Sequence, residues 1–401
     1  MDMDKVKKLA GDMEDDLTAL RQQIHSHPEL SWQEVETSKM IEAELEKLGF
    51  ENLRRGFKGT GSGVIGDLAG AHPGPCVALR ADIDALPIQE ENDLPYISKT
   101  EGVMHACGHD AHTSILLGVA RILSGMKEEI HGTVRLLFQP AEEAGMDSGA
   151  PAMIAEGALD GVDAIGGLHV WAQMPVGFFG TRTGPIMASA DVWELTIQGQ
   201  GGHGAMPHTA VDPTVAAAHI ISMLQTIVSR EIDPLESAVV SVGKVESGNA
   251  PNVIPDKAYI KGNVRTTSRE TKTGMEARFR RIIDGISSAL RCSADLQYTP
   301  IYPVTINDPD MTEILKESAC QVVGSDKLIE VPIAMGSEDF SYYGEKIPAA
   351  FGMLGIGDPE KGTDKAHHSP HFNANDAVLA QGTALLTGFA LRYLEKYRKQ
   401  D

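Results

Sequence analysis

Past Gly49, short apolar runs alternate with stretches of helical period. "PCVALRADIDALP" holds a strand that ends near Arg80, "HTSILLGVARIL" is a helix, "GTVRLLFQPAEE" holds a strand that ends near Gln139, and "DAIGGLHVW" holds one that ends near Leu168. A helix between two strands returns the chain in the same direction, so this alternation predicts an α/β fold with a doubly wound, mostly parallel sheet. Upstream, a helix pattern covers roughly residues 4 to 26 and stops near Pro28. "SWQE", Ser31 to Glu34, has the form of a capping box opening a second helix that runs to about Leu48.

From about residue 187 the pattern changes. Strands in "DVWELTIQG", "SAVVSVGKVES", "KAYIKGNVRTT" and "ADLQYTPIYP" interleave with helices in "PTVAAAHIISMLQTIV" and "KTGMEARFRRIIDGISSAL". The order is β-α-β-β-α-β, the split βαβ of ferredoxin-like modules. It reads as an insertion, which assigns residues 1–186 and 301–401 to one domain and 187–300 to another. The α/β pattern then resumes, with a helix near 311 to 323 and a long C-terminal helix from about 375.

Acidic and imidazole side chains gather at one end of the predicted strands. Asp82 and Asp84 follow the first, Glu142 and Glu143 the second, and His169 the third. In an open α/β sheet, the carboxyl edge is where sites form. "HACGHDAH", residues 105 to 112, sets Cys107 and His109 just ahead of a helix, whose N-terminus favours thiolate over thiol. A nucleophilic cysteine needs one base and one orienting group. The inventory here exceeds that, and it is about what two divalent ions need. Hydrolysis assisted by metal still requires a general base. Adjacent Glu142 and Glu143 can divide the tasks, one coordinating and the other staying free. A last histidine falls in "AHHSPHF", residues 366 to 372, where His367, His368 and His371 share a turn.

Charge narrows the partners. A formal net charge of −21 argues against nucleic acid or an anionic membrane, both of which need basic patches. No apolar run reaches the ~18 residues of a membrane span. The N-terminus is charged and amphipathic, without an apolar signal region. Cys76, Cys107, Cys292 and Cys320 are scattered with no CxxC pair, which reads as reduced thiols. A cytoplasmic location is expected.

The motifs "HSHPELSWQEVET", "RADIDALP", "HACGHDAH", "FQPAEE", "LHVW", "GQGGHGAMPH", "PNVIP", "GNVRTT", "GSEDFS" and "HHSPHF" run through almost the whole chain. Together they resemble the amidohydrolase branch of the dinuclear aminoacylase/carboxypeptidase family. That branch includes hippurate hydrolases, N-acyl-amino-acid amidohydrolases and auxin–amino-acid conjugate hydrolases. The resemblance implies two divalent ions per subunit (Zn²⁺, Mn²⁺, Co²⁺ or Ni²⁺) with Cys107 bridging them. His109 and His169 would complete one metal site, Glu143 and His371 the other, and Glu142 would be the general base. Asp82 stands where the wider family has a ligating histidine. His109 is inferred to take over coordination, with Asp84 orienting a ligand and Asp82 left without a clear role.

The same resemblance makes the inserted module a lid and homodimerisation domain. His203 would stabilise the oxyanion at a neighbouring active site, and Asn252 and Arg265 would hold the substrate carboxylate. Glu338 matches the family without a derived role. The implied activity is hydrolysis of an N-acyl amino acid (N-acetyl, N-benzoyl or indole-acetyl) to a carboxylic acid and a free amino acid. The alternatives are a dipeptidase or carboxypeptidase acting on short peptides, a metal-free cysteine amidase using Cys107, and a non-catalytic binding protein.

Overall fold

A computed structural model describes residues 2–398, which form two compact units. The first comprises Met1–Ile186, Ile306–Pro332 and Asp339–Asp401, and the second Met187–Thr305 with Ile333–Glu338. The second unit thus runs five residues past position 300 and takes in a short later segment that no local pattern marks.

The first unit is built on an eight-stranded sheet in the order Glu51–Arg55, Val64–Ala69, His131–Gln139, His72–Asp82, Ala164–Pro175, Ala349–Gly357, Phe179–Thr181, Leu328–Glu330. The central four strands, from His131–Gln139 to Ala349–Gly357, are parallel. They read as near-continuous apolar runs because both faces are covered. Neighbouring glycines show this: the Phe389 ring lies against Gly166 on one face, and Phe340 against Gly167 on the other. The strand Ala164–Pro175 runs well past Leu168, so His169 stands inside it and not beyond its end. Pairing with Ala349–Gly357 continues through His169 to Trp171, which extends the strand.

The helix His109–Ser124 packs on the strand His72–Asp82 and on the C-terminal helix Leu379–Tyr397. It buries Ile115, Leu116, Leu117, Val119 and Leu123, each contributing about 1.5–3 kcal/mol. That anchorage fixes the helix N-terminus, where His109 lies. The C-terminal stretch Asp376–Tyr397 is long and apolar enough to cross a membrane, but 78 % of its apolar window is buried in the protein.

Two expectations near the N-terminus change. The first helix pattern is two helices, Met3–Gly11 and Glu14–His25, broken after Gly11. Glu14, Asp15 and Asp16 open the second, where the helix dipole favours acid. "SWQE" is not a capping box. The helix Val35–Lys47 is capped from further upstream, where the Glu29 carboxylate accepts the N–H groups of Glu36 (3.1 Å) and Thr37 (2.8 Å). Ser31 and Glu34 turn inward to other partners, described below.

The second unit has the β-α-β-β-α-β order. Its four-stranded antiparallel sheet runs Ala238–Ser247, Lys257–Thr266, Ala190–Gln198, Ser293–Tyr302. Two helices pack on it. Pro213–Thr226 is capped by Asp212, and Arg269–Ala289 by Ser268. Trp193, Ile220, Leu224, Phe279 and Ile283 fill the core between helices and sheet.

Candidate metal centre

The parallel strands of the first unit deliver their residues to one edge. Asp82 ends its strand opposite Gln139, and Asp84, Glu142 and Glu143 follow within a few residues. Between Cys107 and His109, Gly108 takes a left-handed backbone (φ 88°), and a Cβ there would lie 2.4 Å from Val170 Cγ2. Only glycine fits so sharp a turn, and both flanking side chains face His169.

Of the five groups of potential metal donors among the described residues, two contain Cys107. Atoms of Cys107, His109 and His169 lie within 4.8 Å of one another, as do atoms of Cys107, Glu143 and His368. Cys107 belongs to both. Its Sγ is 3.4 Å from His169 Nε2, while His169 Nδ1 donates to the Val170 carbonyl at 2.6 Å. His109 Nδ1 donates to the Asp84 carbonyl (3.0 Å) and to Asp84 Oδ1 (3.1 Å). These partners fix both ring orientations and leave Nε2 of each directed at the cluster. His109 Nε2 is buried and has no hydrogen-bond partner among the described residues. Asp84 Oδ2 also accepts the Glu143 N–H at 3.0 Å, so one carboxylate orients a residue of each triplet.

The electrostatics fit a cationic guest. Burial pushes the Cys107 thiol well up, and Glu143, Glu142 and Asp82 push it further. The expected effect of the helix N-terminus on this thiol is outweighed by that burial and by the carboxylates. Burial alone would lower His109, but Asp82, Asp84 and Glu143 push it up to about 10. Burial, then His112 and His367, hold His169 well below the usual imidazole range. The carboxylates that raise the Cys107 thiol and His109 in this way offer the same stabilisation to divalent ions. The orphaned His109 nitrogen and the shared sulfur suit such ions.

His371 does not join this group. Its ring is half exposed and sits 3.3 Å from Glu91 at the surface. His368 takes the place beside Glu143, with Nε2 at 3.0 Å from Glu143 Oε1. The chain bends at His368 (φ 65°), whose N–H donates to the Ala106 carbonyl at 2.8 Å and so ties it to the Cys107 loop. His367 turns the other way and packs against His169, Trp171 and Phe372. Three histidines in one turn look alike in sequence, and only the bend separates them.

Asp82 gains a role. Its Oδ1 accepts from His112 Nδ1 at 2.5 Å, and its Oδ2 from Arg80 at 2.6 Å. His112 Nε2 in turn accepts the Val170 N–H at 2.8 Å, bracing the strand beside His169. Arg80 also reaches Asp339 (2.7 Å), which is held by Gln139 (2.7 Å) and whose own N–H donates to Glu142 Oε1 (3.3 Å). Arg80 and Asp82 share a strand end in "RADIDALP", which was the signal available for this network.

The remaining expected residues lie in the second unit. Gly202–His203 and Val253–Ile254 pair as two short strands, and the Gly204 N–H donates to the Asn252 carbonyl at 2.8 Å, so His203 and Asn252 are neighbours. His203 is exposed, and its Nδ1 accepts the Ala205 N–H at 3.0 Å. Arg265, half-buried, donates to Ser337 Oγ at 2.7 Å.

A model of peptidase family M20/M25/M40 matches residues 78–392. The Arabidopsis thaliana protein named IAA-amino acid hydrolase ILR1-like 4 is 41 % identical over 387 residues, covering 96 % of this chain and 87 % of its own length. N-acetylcysteine deacetylase of Bacillus subtilis is 41 % identical over 379 residues, covering 94 % of this chain and 97 % of its own. Among solved structures, the YXEP protein of Bacillus subtilis, described as a dinuclear metal-binding peptidase, superposes with a TM-score of 0.84 at 37 % identity. That match covers 96 % of this chain and 99 % of that one.

Proposed function

The chain belongs to peptidase family M20/M25/M40, and from that premise we propose that it is a metal-dependent amidohydrolase of N-acyl amino acids. The products are a carboxylic acid and a free amino acid. The observation that carries this reading is Cys107, which contributes one sulfur to two donor triplets beside the Glu142 carboxylate.

Cys107, His109 and His169 would hold one ion, and Cys107, Glu143 and His368 the other. When bound, two such ions polarise an amide carbonyl and make a water more acidic. The sulfur favours a softer ion such as Zn²⁺, while the carboxylate and imidazoles also accept Mn²⁺, Co²⁺ or Ni²⁺. Glu142 is buried, and the Asp339 N–H fixes one of its oxygens. We assign to it the proton taken from the attacking water and returned to the leaving amine nitrogen. To His203 we assign the oxyanion. With Nδ1 accepting from Ala205, the neutral ring carries its proton on Nε2 and is a donor there. Asn252 and the Arg265 guanidinium are assigned to the substrate carboxylate.

A homodimer through the second unit is supported by that unit's edge strand Ala238–Ser247, which exposes Val239 and Val245. None of the four cysteines is paired among the described residues, which favours a reducing compartment, the cytoplasm. The strongly raised Cys107 thiol is a poor nucleophile, which counts against a cysteine amidase.

The test is a panel of N-acetyl, N-benzoyl and indole-acetyl amino acids with Zn²⁺, Mn²⁺ or Co²⁺. Free amine should appear and be lost on chelation. Glu142→Gln should lower kcat by about 10²–10⁴-fold with metal still bound. Activity that survives chelation, or a fully active E142Q, would overturn the assignment.

A further inference from the structure

Ala141, the residue before Glu142, holds left-handed backbone (φ 55°, ψ 43°). A residue with a Cβ keeps that conformation only where its surroundings impose it. Both polar groups of Ala141 are tied down. Its N–H donates to Glu34 Oε1 at 2.8 Å, and its carbonyl accepts the Gly149 N–H at 3.0 Å. Gly149 has no substitute, since a Cβ there would lie 1.8 Å from the Pro140 oxygen.

Glu34 is fully buried and comes from the segment whose sequence suggests a helix cap. The same segment reaches the other side of Glu142. Ser31 Oγ donates to Asp84 Oδ2 at 2.7 Å, and that oxygen accepts the Glu143 N–H. The amides immediately before and after Glu142 are therefore both held, directly or through Asp84, by residues 31 to 34.

We propose that Glu34 is a positioning residue for Glu142. By holding the left-handed elbow at Ala141, it sets the direction in which the Glu142 side chain leaves the backbone. The proposal rests on the reading of Glu142 as the proton-transfer group. What the elbow needs from Glu34 is an acceptor oxygen at the right reach. Glutamine supplies that oxygen, whereas aspartate falls one methylene short.

The experiment compares Glu34→Gln and Glu34→Asp, both metal-loaded, with bound metal quantified. Hydrogen exchange of a peptide spanning residues 138–148 gives a readout independent of turnover. E34D should lower kcat by about 100-fold, with KM within about twofold and metal content unchanged. Its Ala141 amide should lose protection. E34Q should keep that protection and stay within about threefold of wild-type kcat. Adding Ala141→Gly to E34D should restore about tenfold in kcat, because glycine takes the left-handed backbone without a clamp. If E34D alone does not fold, the double variant carries the same test.

Wild-type kcat in E34D, loss of metal as the cause of its defect, an E34Q as impaired as E34D, or no rescue by A141G each overturns the proposal. A wild-type enzyme inert toward every N-acyl amino acid, with the exchange pattern as described, would refute the assigned reaction and leave the elbow standing.

Discussion

His368 and His371 sit three positions apart, and their surroundings make opposite predictions about them. The two rings are equally exposed, but His368 faces the mostly buried Glu143, whereas His371 faces Glu91 at the surface. Replacing His368 with Ala should weaken binding of one metal equivalent by more than about 100-fold, beyond what loss of an outer partner costs. H371A should bind both equivalents as wild type does. Metal titration of the two variants decides, and equal losses would remove the distinction between the two rings. Glu34 gives a pH prediction. Burial, then the nearby Asp84, push its carboxyl up to about 8. An acid raised in the folded state favours folding while protonated, and that contribution fades as pH climbs from the ordinary glutamate value toward 8. In the apo protein, E34Q should therefore flatten the fall in unfolding midpoint across that window. A slope identical to wild type would place the titration elsewhere. At this scale the sequence shows residue types but not directions. Cys107, His109, Glu142, Glu143 and His169 could be picked out because acid and imidazole follow the apolar runs of successive strands and a thiol and imidazole precede a helix, although His169 proves to stand inside its strand. His112 and Glu34 could not, since each acts through a partner distant in sequence.

At the level of elements, the parallel strands were legible where an apolar run is long enough to outweigh a charged end, as in "PCVALRADIDALP", whose run stops at Arg80 and Asp82, whereas the strand Ala349–Gly357 was not read from the sequence. Boundaries were less legible. The strand holding His169 continues because its neighbour pairs with it, which no local pattern reveals. The same limit hid how the N-terminal helix is attached. Arg21, fully buried on the helix Glu14–His25, donates to Asp110 (2.8 Å), one residue past His109, and to Asn373 (2.7 Å) and Asp376 (3.2 Å) in the segment after His368. His25 completes the group by bonding Asp110 at 2.8 Å and Glu90 at 3.1 Å. Burial alone would raise the Asp110 carboxyl, but Arg21 and His25 hold it well below the usual range. One guanidinium thus joins a helix to two of the segments that carry candidate ligands, those of His109 and His368. Arg21→Met should destabilise the first unit by about 3–5 kcal/mol, because it strands buried carboxylates. Urea unfolding measures this, and a change under about 1 kcal/mol would mean that the network is better hydrated than its burial implies.

For the whole molecule, the alternation of strands and helices and the switch near residue 187 made two units visible in advance. The return of residues 333–338 to the second unit was not visible, because six residues carry no period of their own. The second unit also poses a solubility problem that its own fold leaves open. Ala238–Ser247 is an edge strand, and Val239 and Val245 are 38 % and 50 % exposed on it. The helix Pro213–Thr226 adds Val215 and Met223, exposed at 44 % and 45 %. Unpaired edges with apolar side chains invite another strand. The arrangement that uses one surface on both partners and closes on itself is a twofold pair. Lysine at both Val239 and Val245 should block that pairing by placing like charges at the seam. Sedimentation should then show the variant at single-chain mass and the wild type at twice that value, with the unfolding midpoint of the first unit unchanged. Wild type at single-chain mass across the micromolar range would remove the dimer. The exposed strand would then need another explanation.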